Sequence, residues 1–545
     1  MTFITTVFIS TLLTISLIPV LKDLALRFNA LDLPNSRKIH VSPMPKIGGI
    51  AMAAGTLLPI FLWAPRDHFA ISLVCALLII ILFGIADDIK NLSYKAKFAG
   101  QITAALIVII LGGVKITHLG NLLPEDMLLP NIISIPLTLI VIVGVTNAIN
   151  LADGLDGLAG GITLLSFICI GYLAYSCGDY AVLLCSVAIT GAIFGFLRFN
   201  TYPATVFMGD SGSQLLGFLA VTLSLSLTQN NIHLSPLLPL ILLGFPILDT
   251  FTVMAERISN GKSPFIADNN HFHHKLLKLG FFHTEAVSTI YIIQGLLVIS
   301  AYTLRFYSEW FLLFVYLIFS GLIMSGFIAA EKKGWKTKRY HIIDKVIKSK
   351  LRILKDKNLL IISSFKGILF AIPALLIINS IIPQNIPEYV TLSSIGLAVI
   401  SSAIWPFRKE WLINTIRISL YLFIPFTVYL SQAFAPSWFN KEIILLYNLL
   451  YVLIFFFVVV TLKFTKRQTG FKSTPMDFLI IFIVLTITFI PDATIRSHHI
   501  GLFVVKILVL FFSYEVLIAE SRGRHKLLGF TTITAFLLIA IRGSL

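Results

Sequence analysis

Long apolar segments recur along this chain, and a short polar loop separates most of them from the next. Eleven lie before residue 331, at 2–21, 47–63, 69–86, 98–113, 131–149, 158–176, 179–197, 213–228, 234–255, 286–304 and 309–330. Seven more lie at 359–383, 389–405, 411–430, 443–462, 477–490, 501–519 and 527–541. A helix needs about 20 apolar residues to cross a bilayer. The pattern therefore predicts an all-α polytopic membrane protein with about 18 transmembrane helices.

Composition agrees with that class, since 57% of the 545 residues are hydrophobic and only 12% are charged. The first segment lacks a basic leader and a small-residue cleavage site, so we expect a retained helix rather than a signal peptide. The four cysteines fall in or at the ends of apolar segments without the spacing of metal ligands. They are expected to act as small apolar side chains.

Loop charge predicts an orientation in the membrane. Among the first eleven segments, loops after odd-numbered segments carry thirteen Lys and Arg residues, and loops after even-numbered segments carry three. Basic loops stay on the cytoplasmic side, which places the odd-numbered loops inside and the N-terminus outside. The same rule accounts for the net charge of +16, so no nucleic-acid partner is expected.

The polar motifs that interrupt the apolar pattern all fall in odd-numbered loops. They are Lys46 after segment one, Asp87 and Asp88 after segment three, Asn150, Asp153 and Asp156 after segment five, Asn200, Phe207 and Asp210 after segment seven, and His271, His273 and His274 after segment nine. Acids at membrane depth are costly and usually functional. Because the charge rule used no motif, their shared side indicates one cytoplasmic site.

Several carboxylates, basic side chains, glycine turns and histidines together indicate phosphate chemistry with a divalent metal. Oxygen ligands suit Mg²⁺, which shares them with substrate phosphates, while Lys and Arg hold the flanking charges. Each motif alone has a plainer interpretation. Asp87-Asp88 could cap a helix, the histidines could form a solvated loop or a Zn²⁺ site, Phe207 could be packing, and Lys46 could only mark the inner side.

Two functions of other classes remain open at this point. A cation-coupled transporter also places acids in the membrane, although here they cluster at segment ends rather than at the midplane. A membrane scaffold derived from an inactive enzyme is the other, although Asp88, Asp156 and Asp210 are all present.

Five ordered motifs resemble those of the polyprenyl-phosphate N-acetylhexosamine-1-phosphate transferase family. They are Arg37-Lys-Ile-His-Val-Ser-Pro-Met-Pro-Lys46-Ile-Gly-Gly, Phe83-Gly-Ile-Ala-Asp-Asp88, Asn150-Leu-Ala-Asp-Gly-Leu-Asp-Gly-Leu158, Phe207-Met-Gly-Asp-Ser-Gly-Ser213 and Asp268-Asn-Asn-His-Phe-His-His274. The resemblance implies a Mg²⁺-dependent (or Mn²⁺-dependent) enzyme of the bacterial inner membrane with a cytoplasmic active site. Undecaprenyl phosphate would attack the β-phosphate of a UDP-sugar and release UMP.

The resemblance also implies roles for individual residues. Asp210 would bind the metal, and Asp87 and Asp88 would activate the lipid phosphate or bind metal. The nucleotide or sugar would contact Asn150, Asp153 and Asp156, with Phe207 stacking on uracil. The diphosphate and sugar site would be completed by Lys46, Asn200, His271, His273 and His274.

Subfamily and domain boundaries are further expectations. The His-Phe-His-His order and the Phe245-Pro-Ile-Leu-Asp249-Thr stretch resemble the O-antigen and common-antigen branch, which favours UDP-GlcNAc as donor. UDP-FucNAc, UDP-QuiNAc and UDP-MurNAc-pentapeptide remain alternatives. Residues 1–330 would form the transferase, with ten or eleven helices, and 331–358 a basic cytoplasmic connector. Residues 359–545 form a further membrane region of unknown role, and a homodimer is a further expectation.

Overall fold

A computed structural model describes residues 2–27, 31–32, 43–124, 127–263, 270–337, 359–404, 420, 423–424, 427–432, 434–436, 438–464, 500–520 and 526–544. These residues fall into two compact units, one before residue 338 and one after residue 358. Eleven helices in the described residues are long and apolar enough to cross a membrane. The predicted all-α polytopic class is therefore confirmed.

The described part of the first unit contains thirteen α-helices, a 3-10 helix (Gly120–Leu122) and one short hairpin. The helices are α1 (Thr2–Arg27), α2 (Gly48–Trp63), α3 (His68–Lys90), α4 (Tyr94–Ile110), α5 (Asn131–Ala152), α6 (Leu158–Cys177), α7 (Tyr180–Asn200), α8 (Gly209–Asn230), α9 (Leu238–Leu242), α10 (Gly244–Ser259), α11 (Phe272–Lys278), α12 (His283–Thr303) and α13 (Glu309–Lys332). Strands β1 (Leu31–Asp32) and β2 (Met44–Pro45) pair antiparallel before α2. Ten of the eleven predicted segments correspond to one helix each.

The remaining segment, 234–255, is broken into α9 and α10 at Leu243. The glycine and proline of Gly244-Phe-Pro246 are the local signal for the break. Polar side chains from other helices satisfy the backbone that the break exposes. Gln294 donates to the Leu242 carbonyl (2.7 Å) and accepts from the Phe245 N–H (3.2 Å), as apolar surroundings require.

Helix α8 forms the centre of the first unit. It is buried from Ser211 to Thr228, and α2, α3, α5 and α6 pack against it. Glycines allow the close approach at its N-terminal end, since a Cβ at Gly49 of α2 would lie 2.2 Å from the Gly212 nitrogen. Small residues commonly mediate such contacts between membrane helices. The beginning of α8 is thereby placed against the ends of its neighbours.

The described part of the second unit contains five helices around a separate apolar core. They are α14 (Leu359–Ile381), α15 (Glu388–Ile404), α16 (Lys441–Phe464), α17 (Ile500–Glu520) and α18 (Lys526–Ser544). Residues 427–432 are also helical. The predicted segment 477–490 lies outside the described residues, so the count of 18 helices stays a prediction.

Candidate active site

The N-terminus of α8 is held by a carboxylate from the end of α3. Asp88 accepts from the Asp210 N–H (2.8 Å), the Ser211 N–H (3.1 Å) and the Ser211 hydroxyl (2.8 Å). An acidic group at this position satisfies N–H groups that have no partner within the helix. Gly209, at φ +73°, permits the tight approach, because a Cβ there would lie 2.6 Å from the carboxylate. Asp88 is thus buried and committed to the backbone that presents Asp210.

Asp210 lies at the meeting point of α3, α4, α5 and α8. Its carboxylate accepts from the Asn150 side-chain amide (2.8 Å), and Asn150 also donates to the Ser213 hydroxyl (3.0 Å). The Lys97 ammonium lies 3.7 Å from the same Asp210 oxygen. The Asp210 side chain remains 28% exposed, so it is accessible from the end of the helix bundle.

Asp87 and Lys97 form an ion pair beside Asp210, in which Asp87 is buried and the Lys97 side chain is 34% exposed. One Asp87 oxygen contacts the Lys97 ammonium, and the other accepts from the Leu92 N–H (2.7 Å) in the turn between α3 and α4. Buried charges persist when they are paired and hydrogen-bonded. In the cluster of Asp87, Lys97 and Asp210, the Lys97 ammonium therefore lies between two carboxylates.

Lys97 was not among the residues singled out from the sequence. In the sequence it is only one of the basic loop residues that indicate orientation. Its position ten residues after Asp87, just inside α4, is the signal that was available. Only the packing of α3 on α4 shows that it faces the acids rather than a lipid headgroup.

The loop between α5 and α6 brings two further acids to this end of the bundle. Asp156 accepts from the Ala204 N–H (3.0 Å), which ties this loop to the loop before α8. Asp153 is half-buried, and its partial loss of solvent, reinforced by the charges of Asp210, Asp156 and Asp88, raises the pKa of Asp153 to about 7. A carboxyl of that pKa is largely neutral just below neutral pH.

Asn200 ends α7, and Phe207 lies in the loop between α7 and α8. Buried Asn200 accepts from the Gly157 N–H (2.9 Å) and donates to the Val206 carbonyl (2.9 Å), so both ends of its amide are used by backbone. Phe207 pairs with Lys46 through a parallel β-bridge, and its ring is half-buried. The Lys46 ammonium lies 3.3 Å from Asp32 and near enough to attract the Asp210 carboxylate.

The three histidines lie at the start of α11, beside the acidic loop. His271 and His273 are buried with their rings parallel, 5.8 Å apart, and His274 lies against His273 at 4.2 Å. A Cβ at Gly154 would lie only 2.2 Å from the His273 Nε2 atom. Burial, followed by the neighbouring histidines, lowers the pKa of His273 to about 3, so this ring is neutral at physiological pH. Glycine in the acidic loop thus allows the histidine segment to approach it.

The structure therefore brings the predicted residues to one end of the first unit. Their hydrogen bonds separate them into two groups. Asp88 and Asn200 are occupied by backbone, whereas Asp210, Asp87 and Lys97 form a charged cluster open to one side. The described residues include no group of three His, Cys, Asp or Glu side chains arranged to hold a metal ion. Two neighbouring carboxylates still fit Mg²⁺, which is commonly bound by one or two carboxylates, waters and substrate phosphates.

Comparisons with known proteins point in one direction. The profile of glycosyl transferase family 4 matches residues 70–228, which run from α3 to α8. The chain is 36% identical over 346 residues to a probable undecaprenyl-phosphate N-acetylglucosaminyl 1-phosphate transferase of Bacillus subtilis, covering 63% of this chain and 95% of that protein. It is 30% identical to an undecaprenyl-phosphate alpha-N-acetylglucosaminyl 1-phosphate transferase of Yersinia pestis, over 59% of this chain and 89% of that protein. A decaprenyl-phosphate N-acetylglucosaminephosphotransferase of Mycolicibacterium smegmatis is 36% identical over 52% of this chain and 77% of its own length.

Proposed function

This chain belongs to the polyprenyl-phosphate N-acetylhexosamine-1-phosphate transferase family, and we propose on that premise that it transfers GlcNAc-1-phosphate from UDP-GlcNAc to undecaprenyl phosphate. The predicted family membership is confirmed, and the chain is an integral membrane enzyme rather than a transporter. The observation that carries the proposal is the cluster of Asp210, Asp87 and Lys97 at the beginning of α8.

The reaction joins two anionic substrates. A lipid phosphate oxygen forms a bond to the β-phosphorus of the nucleotide sugar. The bond from that phosphorus to the oxygen bridging it to the α-phosphate breaks, and UMP leaves with the bridging oxygen. A phosphate monoester loses its second proton near pH 6, so the nucleophile is already largely dianionic at neutral pH.

Because the lipid phosphate is already ionised, the reaction needs positive charge to neutralise the two substrates' phosphates more than it needs a general base. The Lys97 ammonium, fixed by Asp87 and 3.7 Å from Asp210, supports neutralisation of one phosphate. Lys46, close to the same carboxylate, supports the other. Asp88 then serves as a positioning residue, since both its oxygens hold the backbone of Asp210 and Ser211. Positioning and charge stabilisation are the main contributions of proteins to phosphoryl transfer.

A divalent cation, Mg²⁺ or Mn²⁺, would be held by Asp210 with Asp87 beside it. When bound, it would neutralise charge on the diphosphate that develops as UMP departs. This chain's own residues would orient the substrates around that position. The Asn150 amide fixes the Asp210 carboxylate. The positive charge of Lys97 reduces the electrostatic repulsion between the Asp87 and Asp210 carboxylates.

The remaining site residues would select the nucleotide sugar. Phe207, half-buried in the loop that Asn200 and Asp156 stabilise, would stack on uracil. Asp153, with its raised pKa, can approach a phosphate as a neutral carboxyl and donate a hydrogen bond. The histidines at the start of α11, of which His273 lies against Gly154 in the acidic loop, would bind the sugar.

We further propose that the enzyme lies in a bacterial inner membrane with its active site facing the cytoplasm. Its reaction would be the first step in the synthesis of a lipid-linked surface glycan such as O-antigen. The thirteen-to-three bias of basic loop residues supports that orientation. UDP-FucNAc, UDP-QuiNAc and UDP-MurNAc-pentapeptide are the alternative donors. We assign the activity to the first unit, since the family profile falls wholly within it.

The test is a donor panel on the purified full-length protein. The protein in detergent with undecaprenyl phosphate and Mg²⁺ should release UMP from UDP-GlcNAc faster than from the other UDP-sugars. EDTA should abolish release, and omission of the lipid phosphate should do the same. Release of UDP instead of UMP would show sugar transfer rather than sugar-1-phosphate transfer and would contradict the proposal.

A further inference from the structure

A buried carboxylate outside the charged cluster holds the histidine segment. Asp249 lies on α10 and is only 2% exposed. One of its oxygens lies 2.9 Å from the His271 Nδ1 atom, and the other accepts from the Phe272 N–H at 2.8 Å. Asp249 therefore makes two contacts at the beginning of α11, across 22 residues of sequence.

The two contacts have different consequences. Phe272 is the first residue of α11, and its N–H has no partner within that helix. The bond from Phe272 to Asp249 fixes where the helix begins. The contact with His271 determines which ring nitrogen carries the proton, because an ionised carboxylate can only accept a hydrogen bond. The Nδ1 atom of His271 must then carry the hydrogen, so in the neutral form of the ring the Nε2 atom is an acceptor.

We infer that Asp249 is a positioning residue that sets the tautomer of His271, and that the resulting Nε2 acceptor receives a hydroxyl or amide N–H of the sugar. This inference rests on the proposed function for the identity of the substrate. A site built to accept a hydrogen bond discriminates strongly against sugars that lack the donor, because the buried acceptor would be left unpaired. Asp249 would thus contribute to sugar recognition without touching the sugar.

Asparagine at this position separates the two roles. Asp249→Asn keeps an oxygen for the Phe272 N–H, but its amide nitrogen can only donate to Nδ1. The ring must then carry its proton on Nε2, so an acceptor becomes a donor. Asp249→Ala removes both contacts. Glu256→Gln is a matched control, because Glu256 also joins α10 to α11, through Lys275, and does not contact His271.

The experiment measures tautomer, stability and rate on the same full-length samples. Protein labelled with ¹⁵N-histidine is examined by NMR at pH 8, with the His271 signals assigned from a His271→Gln variant. Wild type and Glu256→Gln should show a protonated Nδ1 at His271, and Asp249→Asn a protonated Nε2. Asp249→Asn should keep the thermal midpoint within a few degrees while kcat/KM for UMP release falls by about 100-fold. Glu256→Gln should keep the wild-type rate.

Two results would overturn the inference. One is a protonated Nδ1 at His271 in Asp249→Asn, and the other is an inverted tautomer with an unchanged rate. A loss of rate that appears only together with a collapse of the thermal midpoint, equally in the Asn and Ala variants, would reduce Asp249 to a helix cap. If wild-type protein releases no UMP from any donor, the proposed function fails, while the NMR measurement still decides whether Asp249 sets the tautomer.

Discussion

The two units of this protein both bury hydroxyl and amide side chains among apolar helices, but among the described residues only the first also buries carboxylates. Asp87 and Asp88 are buried at the end of α3, beside Asp210, which remains partly exposed. In the second unit the buried polar groups are mostly neutral, and there the Tyr447 hydroxyl donates to Asn379 (2.7 Å) and the Asn379 amide donates to Tyr451 (3.1 Å).

The lysines of the two units show the difference most clearly. Lys97 lies between two carboxylates and is accessible from one side. Lys506 is 3% exposed on α17, and in the described residues its ammonium lies over the rings of Tyr447 (4.4 Å) and Tyr451 (5.5 Å). A charge held between opposite charges at an open edge can be shared with a substrate. A charge enclosed by aromatic rings contributes to packing.

The largest expected effect concerns Lys97. Lys97→Met keeps the length of the side chain but leaves Asp87 and Asp210 without the cation between them. The rate of UMP release should fall by about 10³-fold, a loss typical of removing a charged group that stabilises phosphoryl transfer. Lys97→Arg should retain more activity than Lys97→Met, because the charge remains. Equal rates of UMP release for wild type and Lys97→Met would show that the charged cluster takes no part in the reaction.

Gly154→Ala should have a smaller effect on activity. The added Cβ would meet the buried His273 ring at 2.2 Å, so either the acidic loop or α11 must move. We expect kcat/KM to fall by about 10-fold or more, since small displacements of binding groups are costly. Gly321→Ala controls for the loss of a glycine elsewhere, because its Cβ would meet nothing within 4 Å and its backbone is helical. An unchanged rate in Gly154→Ala would show that the histidine segment does not need its observed position.

Sequence reasoning predicted the helices well and the partners of individual residues less well. The length and position of the apolar segments were enough to place most helices of the first unit. The contact of Asp88 with Ser211 joins residues 123 positions apart, and that of His271 with Asp249 joins residues on two different helical segments, 22 positions apart. Such pairings follow from packing, which one sequence does not encode locally. Lys97 was missed for the same reason.

Lys506→Met tests the second unit, with stability rather than activity as the expected response. A cation–π contact contributes about 1–2 kcal/mol, whereas burying an ammonium costs several kcal/mol. Methionine has a similar shape without the charge, so the thermal midpoint should stay equal or rise by a few degrees, with UMP release unchanged. A marked fall in the midpoint would mean that Lys506 balances an acidic partner. A fall in the rate of UMP release with the thermal midpoint unchanged would show that the second unit contributes to the reaction.

The smallest expected effect is a pH-dependent contribution of His273 to thermal stability. Its pKa of about 3 lies below the ordinary value of 6.5, so between these values the unfolded chain binds more protons than the folded one. Wild-type stability contributed by this residue should therefore fall as pH is lowered from about 7 to 5. Asp153, with a raised pKa, acts with the opposite sign, so the readout is the midpoint of wild type minus that of His273→Asn at each pH. A pH-independent difference would contradict a buried neutral ring.

The most direct test of the account compares one residue from each unit in a single assay. Full-length wild type, Asp210→Asn and Lys506→Met are supplied with undecaprenyl phosphate, Mg²⁺ and UDP-GlcNAc labelled at the β-phosphate. Wild type and Lys506→Met should transfer the label to the lipid at similar rates, and Asp210→Asn should transfer essentially none, because the amide lacks the charge that a metal-dependent phosphate site needs. Label transfer by Asp210→Asn at the wild-type rate would contradict the assignment of the chemistry to the beginning of α8.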